Sequence, residues 1–334
     1  MNKGFTALMH VLIVKTSSMG DIINTLPALS DAAHAIPNIK FDWVVEEDFA
    51  QIPYWHPAVN RVIPVAFRRW RKNWFSTTTR QERYNFRKEI QCRHYHAVID
   101  AQGLMKSAAL ITRIAKGPIH GEDYRSSREL FASCFFTHTY RISKKIHAVE
   151  RIRELFAFSL KYKKPESINN TIPLELFLKR LPPDYDRYLV FLHSTTRNDK
   201  HWPTQHWRDL IALTESTGIK IKLPWGTKYE QERAMILKEG FQNVEVLPRL
   251  SLEQVAEVIV GAKALVSVDT GLSHLASALD RPNITLYGPT DPQLIGTYGK
   301  NQIVYCSANK KMSELRPNIV IKLLLYILYL KGTL

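Results

Sequence analysis

The residues best placed for chemistry sit where short apolar runs give way to polar ones. The most informative stretch is Val268-Asp269-Thr270-Gly271-Leu272-Ser273-His274. A β-branched run ends there in Asp-Thr-Gly, and a helical pattern begins at once. The first N–H groups of a helix lack internal acceptors, and the helix dipole adds partial positive charge. The amides of Thr270 and Gly271 therefore suit a bound anion such as a phosphate. Gly271 lets that anion approach the backbone. Asp269 can accept hydrogen bonds from sugar hydroxyls. His274 lies one helical turn on, facing the same way; a satisfied buried histidine is its other reading.

Three further clusters follow the same logic. His193-Ser194-Thr195-Thr196-Arg197-Asn198-Asp199-Lys200-His201-Trp202-Pro203 gathers hydroxyls and basic groups directly after an apolar run. It reads as a phosphate site with Lys200 as the mobile cation, or as a solvated loop with Thr204 capping the next helix. Lys15-Thr16-Ser17-Ser18-Met19-Gly20-Asp21 is a glycine turn into a helix. Asp21 is there either a first-turn acid stabilising the helix dipole or a general base at a strand end. Arg68-Arg69-Trp70-Arg71-Lys72-Asn73-Trp74-Phe75 is basic and aromatic. It reads as a solvated face, as a dock for phosphates and carboxylates, or as an RNA surface, though no RNA motif accompanies it.

Two motifs are set aside. The first turn lacks the second and third glycines of the dinucleotide fingerprint, so Glu46 and Glu47 do not make a nicotinamide site. Asp184-Tyr185-Asp186 has a D-x-D spacing used elsewhere to hold metal, but it precedes a strand rather than following one. No catalytic metal and no cofactor are expected.

The elements that must position these residues alternate as βαβ units. Strands are predicted over 10–15, 41–46, 61–66 and 97–100, with helices over 21–35, through Leu110 and Ile114, and over 148–160. A polar stretch, 163–187, carries Pro165, Pro173 and Pro182-Pro183 and is the linker candidate. The rhythm restarts with strands over 188–193, 219–223, 244–247, 264–268 and 284–287. Helices are predicted over 205–216, 230–239, 252–260 and 272–279. Two doubly wound parallel α/β units result, and ligands bind such sheets beyond the carboxyl ends of their strands. A cleft between the two is the expected site. The expected domains are 1–164, a linker at 165–187, a second domain at 188–308, and a terminal helix over 309–334.

Composition agrees with this. A chain of 334 residues is long enough for two cores. Lysine and arginine total 46 against 31 acidic residues, a net charge of +15 that favours anionic partners. Three cysteines, Cys92, Cys134 and Cys306, make no metal spacing and no disulfide framework. No secretory signal is apparent at the amino end. The apolar run over 319–330 is shorter than the roughly 20 residues of a membrane helix and is interrupted by Lys322. A packed terminal helix is the first reading and membrane-surface contact the second.

Taken in order, VLIVKTSSMGDIINTLPAL, FDWVVEEDFAQIP, VIDAQGLMKSAAL, FLHSTTRNDKHWP, KLPWG and VSVDTGLSHLASALDRPNITLYGPTDP resemble glycosyltransferase family 9, in its heptosyltransferase I branch. The resemblance runs from about Val11 to Asn301 and places the usual start near Met9. It implies a GT-B fold, two Rossmann-like domains facing across a cleft. It implies inverting, metal-independent transfer of heptose from ADP-heptose to the Kdo residue of Kdo-lipid A, in lipopolysaccharide inner-core assembly. Another heptosyltransferase of the family, of type II, is the alternative, ahead of a non-catalytic RNA- or phospholipid-binding protein. Carried over position by position, the resemblance makes Asp21 the base, with Ser18 and Gly20 beside it on the acceptor side. Lys200 would neutralise donor phosphate, with Thr195 and Thr196 nearby. Glu230 would bind the donor ribose, Asp269 the heptose hydroxyls, and Thr270 and Gly271 the diphosphate. His274 would complete that wall, and Arg68 and Arg128 would meet acceptor carboxylates and phosphates. The partners implied are the two substrates and the anionic cytoplasmic face of the inner membrane, with no nucleic acid. In that fold the terminal helix crosses back to the first domain, although this stretch matches the family poorly.

Overall fold

The computed structural model describes residues 8–167, 172–178, 180–181 and 184–330. Met1–Ala7 and the Pro182-Pro183 pair of the expected linker lie outside the described residues. The chain divides into two compact units, Met1–Ile172 and Pro173–Leu334.

The first unit contains strands β1 (Met9–Val14), β2 (Ile39–Glu46), β3 (Val59–Val65), β4 (Ala97–Asp100), β5 (Ile119–Glu122) and β6 (His138–Tyr140). Its helices are α1 (Met19–Ile23), α2 (Leu26–Ala35), α3 (Gln51–Tyr54), α4 (Phe67–Trp70), α5 (Thr77–Ile90), α6 (Met105–Leu110) and α7 (Ala148–Leu160). The strands order as β3-β2-β1-β4-β5-β6. Every pairing is parallel. Val11, Leu12, Ile13 and Val14 are all fully buried, as a central strand covered on both faces requires.

The second unit contains α8 (Glu175–Leu178), β7 (Tyr188–Leu192), α9 (Thr204–Glu215), β8 (Lys220–Leu223), α10 (Lys228–Lys238), β9 (Val244–Val246) and α11 (Leu252–Val260). It continues with β10 (Ala264–Val268), α12 (Gly271–Ala278), β11 (Asn283–Tyr287), α13 (Pro292–Ile295), β12 (Gln302–Cys306) and α14 (Pro317–Leu330). Its order is β12-β11-β10-β7-β8-β9, again all parallel. Counted within each unit, both sheets have the doubly wound order 3-2-1-4-5-6. Each therefore has one switch point, between β1 and β4 and between β7 and β10, where loops diverge and open a crevice.

Several boundaries depart from the sequence expectation. The helix predicted over 21–35 breaks at Asn24-Thr25, because Pro27 sits in the first turn of α2 and cannot continue a preceding helix. Strands β5, β6 and β12 and helix α5 were not anticipated. Thr204 opens α9 rather than capping it, since the cap position is Pro203. The unit boundary falls inside the expected linker. Phe177 of α8 is buried and Arg180 pairs with Glu253 of α11 at 2.8 Å, so the later part of that stretch belongs to the second unit. Its beginning is held by Arg153 of α7, whose guanidinium bonds Asp31 at 2.6 Å and the carbonyls of Pro165 and Ser167 at 2.8 and 3.2 Å.

The segment over 309–334 was expected to pack on the first unit. Instead α14 packs on α9 and against β10 and β11. Val320, Leu324 and Leu328 are fully buried in the same core as Leu189, Trp202, Trp207 and Val266. Apolar patterning reports that a helix is buried, not which sheet it covers. The Trp202 indole closes the contact by donating to the Leu315 carbonyl at 2.9 Å.

Candidate functional site

In the first unit the chemistry gathers at the β1/β4 switch point. The turn after β1 is held from both neighbours. The Thr16 and Ser17 amides donate to Gln102 Oε1 at 2.9 and 3.2 Å, from the loop after β4. The Trp43 indole donates to the Lys15 carbonyl at 3.0 Å, and the Glu46 amide to Thr16 at 3.1 Å. The loop after β4 is itself tied by buried Asp100, which accepts from the Gln102 and Gly103 amides at 2.9 Å and from Thr112 Oγ1 at 2.7 Å. Burial raises the Asp100 pKa against those bonds.

Asp21 sits on α1 over this turn. Its Oδ2 accepts from both the amide and the hydroxyl of Ser18 at 2.9 Å. Lys15 Nζ lies 3.8 Å from Oδ1 and donates to the Ala101 carbonyl at 2.8 Å. Burial alone would raise the Asp21 pKa. Lys15, the two Ser18 bonds and Arg128 outweigh it and hold the carboxyl below its ordinary range. Burial pushes Lys15 down, opposed by Asp21. Asp21 is an ionised first-turn acid, and about a third of its side chain remains open to solvent.

Arg128 lies on the loop after β5, exposed and without an ion pair among the described residues. That loop is tied by side-chain bonds. Arg151 Nη2 donates to both oxygens of Glu122 at 2.8 Å and to the Ser126 carbonyl at 2.9 Å. Asp123 Oδ1 accepts from the Arg125 and Ser126 amides at 3.1 and 2.8 Å. Gly103 reaches Arg128 at φ +64°, where an added Cβ would stand 3.3 Å from the Arg128 nitrogen. Arg68 lies in the first turn of α4, just after β3. Its amide donates to Glu46 Oε1 at 2.8 Å and its exposed guanidinium pairs with Asp48 at 3.3 Å. No bond joins Arg68 to Asp21; they share the carboxyl edge of the sheet. The rest of the basic, aromatic cluster is partly structural. Trp70 is buried and donates to Glu82, which Arg69 also binds at 2.9 Å. Trp74 lies 3.7 Å beneath the Arg83 guanidinium beside an aromatic-lined cavity of about 380 Å³.

In the second unit the switch point between β7 and β10 carries the predicted cluster. Lys200 Nζ donates to Asp269 Oδ2 at 2.6 Å, with 15% and 9% of the two side chains exposed. Thr195 Oγ1 donates to the Asp269 carbonyl at 3.0 Å. Thr270 caps α12, which begins at Gly271, and His274 is buried within it. Thr196 is exposed on the same loop. The lysine expected to meet phosphate is thus already paired with the carboxylate expected to meet sugar. His193, beneath the loop, bonds Ser194 at 2.9 Å, and burial with Arg233 and His201 nearby pushes its pKa down to about 3. Arg233 holds the loop's far end through the Trp202 carbonyl at 2.6 Å and Thr204 at 3.2 Å.

Glu230 sits one strand away, after β8. It accepts from the Gly226 and Thr227 amides at 2.7 and 3.0 Å through Oε2 alone, in a capping box on α10. Asp184, of the D-x-D spacing, pairs with buried Lys222 at 2.6 Å and is structural. Gln102, Asp100, Glu122 and Arg151 were missed. Their only signal lies in partners distant in sequence.

Two doubly wound parallel sheets, one with an ionised carboxylate and the other with a lysine beside a helix start at their switch points, fit the GT-B class of glycosyltransferases. Comparison with known proteins narrows this. The profile of Glycosyltransferase family 9 (heptosyltransferase) matches residues 83–323. Lipopolysaccharide heptosyltransferase 1 of Escherichia coli K12 is 61% identical over 314 residues, 94% of this chain and 98% of that protein. The solved E. coli heptosyltransferase WaaC with ADP is 60% identical at a TM-score of 0.92, covering 96% of this chain and all of that one. The same enzyme with ADP-2-deoxy-2-fluoro heptose gives 0.89 at 60% identity, covering 95% of this chain and 99% of that one. The E. coli ADP-heptose lps heptosyltransferase II shares the fold at a TM-score of 0.78 and 18% identity, covering 97% of this chain and all of that one. The chain belongs to glycosyltransferase family 9, the heptosyltransferases.

Proposed function

We propose that this enzyme transfers heptose, with inversion and without a metal, from ADP-heptose to the Kdo residue of Kdo-lipid A, working at the cytoplasmic face of the inner membrane. The donor follows from the relatives solved with ADP and with a fluorinated ADP-heptose. The acceptor reading is supported by high identity to enzymes named lipopolysaccharide heptosyltransferase 1 over nearly their whole length. The observation that carries the mechanism is Asp21, an ionised, partly open carboxylate steadied by Ser18 and Lys15.

In this reading Asp21 takes the proton of an acceptor hydroxyl. That oxygen forms a bond to the anomeric carbon as the bond from this carbon to the ADP oxygen breaks on the opposite face. ADP leaves with the electron pair. Lys200, the Thr270 and Gly271 amides and the α12 dipole receive the diphosphate charge that a metal would otherwise meet. Asp269 and His274 hold the sugar side, Glu230 the ribose, and Arg68 and Arg128 the acceptor's anionic groups.

The test is ADP release from ADP-heptose in the presence of Kdo-lipid A. General-base assistance is worth roughly 10²- to 10⁴-fold. Asp21→Asn should lose that much turnover while remaining folded and keeping its ADP affinity. Near-normal turnover of the folded variant removes Asp21 as the base. Release of ADP only with an acceptor already bearing heptose reassigns the acceptor.

A further inference from the structure

Helix α14 contains one charged residue, Lys322, in 14. Its inner face, including Val320, Leu324 and Leu328, is used by the core of the second unit. A helix packed in this way ordinarily turns a polar face to water. Here the outward stripe is Ile319, Lys322, Tyr326, Tyr329 and Leu330, at helical spacing, and its four uncharged members are 43–68% exposed. Tyrosine is a side chain that collects at the boundary between lipid and water.

The charge around the stripe has one sign. Lys310, Lys311, Arg316 and Lys322 are exposed. Over 310–330 four basic residues face one acid, Glu314, a balance of 4 − 1 = +3. The Glu314 carboxylate is taken up by Ser307 and Asn309 at 2.7 and 2.9 Å. Among the described residues no helix is long and apolar enough to cross a membrane. The outer face is largely apolar around Lys322, basic residues flank the helix start and the helix is short, which suits lying on a bilayer rather than spanning it.

We infer that the outward stripe of α14 is a docking face for the surface of an anionic phospholipid bilayer. The tyrosine rings sit at headgroup level and Lys322 and Arg316 meet lipid phosphates. The inference deepens the proposed function and rests on it, since an acceptor held in a bilayer is reached by an enzyme held against the same surface. The competing occupant is a second copy of the chain.

The experiment uses the full chain and vesicles of phosphatidylcholine with or without phosphatidylglycerol, free of acceptor, read by flotation. The parent should bind the anionic vesicles and release them in high salt. Tyr326→Ser/Tyr329→Ser should lower the bound fraction by about fivefold or more, and Lys322→Glu should lower it as well. Both should keep the parent's thermal unfolding and its transfer to a water-soluble, delipidated acceptor. A parent that ignores anionic vesicles, or a double variant that binds as the parent does, overturns the inference. So does a concentration-dependent parent dimer that the tyrosine substitutions dissolve. Stripe-dependent vesicle binding without transfer to the soluble acceptor sinks the proposed function and leaves the docking face standing. Transfer without stripe-dependent binding does the reverse.

Discussion

The Lys200–Asp269 pair gives the sharpest prediction. At 2.6 Å the attraction is roughly 6 kcal/mol for an effective dielectric near 20. Desolvation consumes much of that, and the cost of breaking such a pair by removing one partner is about 3–5 kcal/mol. The two side chains keep 15% and 9% of their surface, so the lower end applies. Lys200→Met should cost the second unit about 3 kcal/mol, which lowers its melting temperature by roughly 6–12 °C, measured by calorimetry on the full chain. Asp269→Asn should cost less, because an amide still accepts a hydrogen bond from Lys200. The double variant Lys200→Met/Asp269→Asn should recover at least about 1.5 kcal/mol relative to the sum of the singles. Ligand affinity should split the other way. Lys200→Met should lose about tenfold or more in ADP affinity, while Asp269→Asn, which removes the negative charge beside the lysine, should bind ADP at least as tightly as the parent. Additive stabilities, within about 0.5 kcal/mol, would show that the two groups do not couple. Unchanged ADP affinity in Lys200→Met would remove that lysine from the diphosphate site.

Other outcomes follow from the same geometry. Gln102→Leu removes the acceptor of the Thr16 and Ser17 amides, and should cut kcat by about tenfold or more with ADP affinity unchanged, since it touches only the turn that carries Asp21. His56 is buried, bonded to Ser30 and to the Ala58 amide, and burial pushes its pKa down to about 4 from 6.5. Between those values the unfolded chain binds the proton that the folded one refuses. Stability of the first unit should therefore fall by up to roughly 3 kcal/mol as pH drops from 6.5 to 4. His56→Gln should flatten that slope in pH-dependent unfolding. For Asp21 the sign is the same, in a lower pH window. Its folded pKa is depressed, so its stabilisation is present above the unfolded value and disappears only as pH falls through the lower folded one. Turnover controlled by this group should persist to pH values below the usual carboxylate range, and a rate that halves near neutrality would contradict it.

The sheet was readable in the sequence wherever strands were central. β1, β4, β7 and β10 are continuous buried runs, and each signals itself by composition alone. β5, β6 and β12 escaped because they are short and only partly buried: Ile119-His120-Gly121-Glu122 and His138-Thr139-Tyr140 look like loop until β4 pairs with β5 and β5 with β6. Asp21, Lys200 and Asp269 stood out in the sequence because each follows a strand at a turn into a helix. The side chains that hold them were hidden. Gln102 bonds residues 85 and 86 positions away, and nothing local marks a glutamine as the keeper of another loop's backbone. Pairing Lys200 with Asp269 was likewise out of reach, since the two belong to different βα loops that only the parallel pairing of β7 and β10 brings together.

The place of α14 in the second unit also bears on biosynthesis. A nascent chain translated only as far as residue 310 already has every strand of the second sheet but lacks the helix that covers β10 and β11 and the Leu315 carbonyl that receives the Trp202 indole. The first unit can complete its own fold while it emerges from the ribosome. The second must wait, with Trp202, Trp207 and Val266 open to solvent or to chaperones, until the late segment arrives. Chains shortened before 317 should accordingly appear as aggregates or degradation products, with the first unit intact and the second one lost.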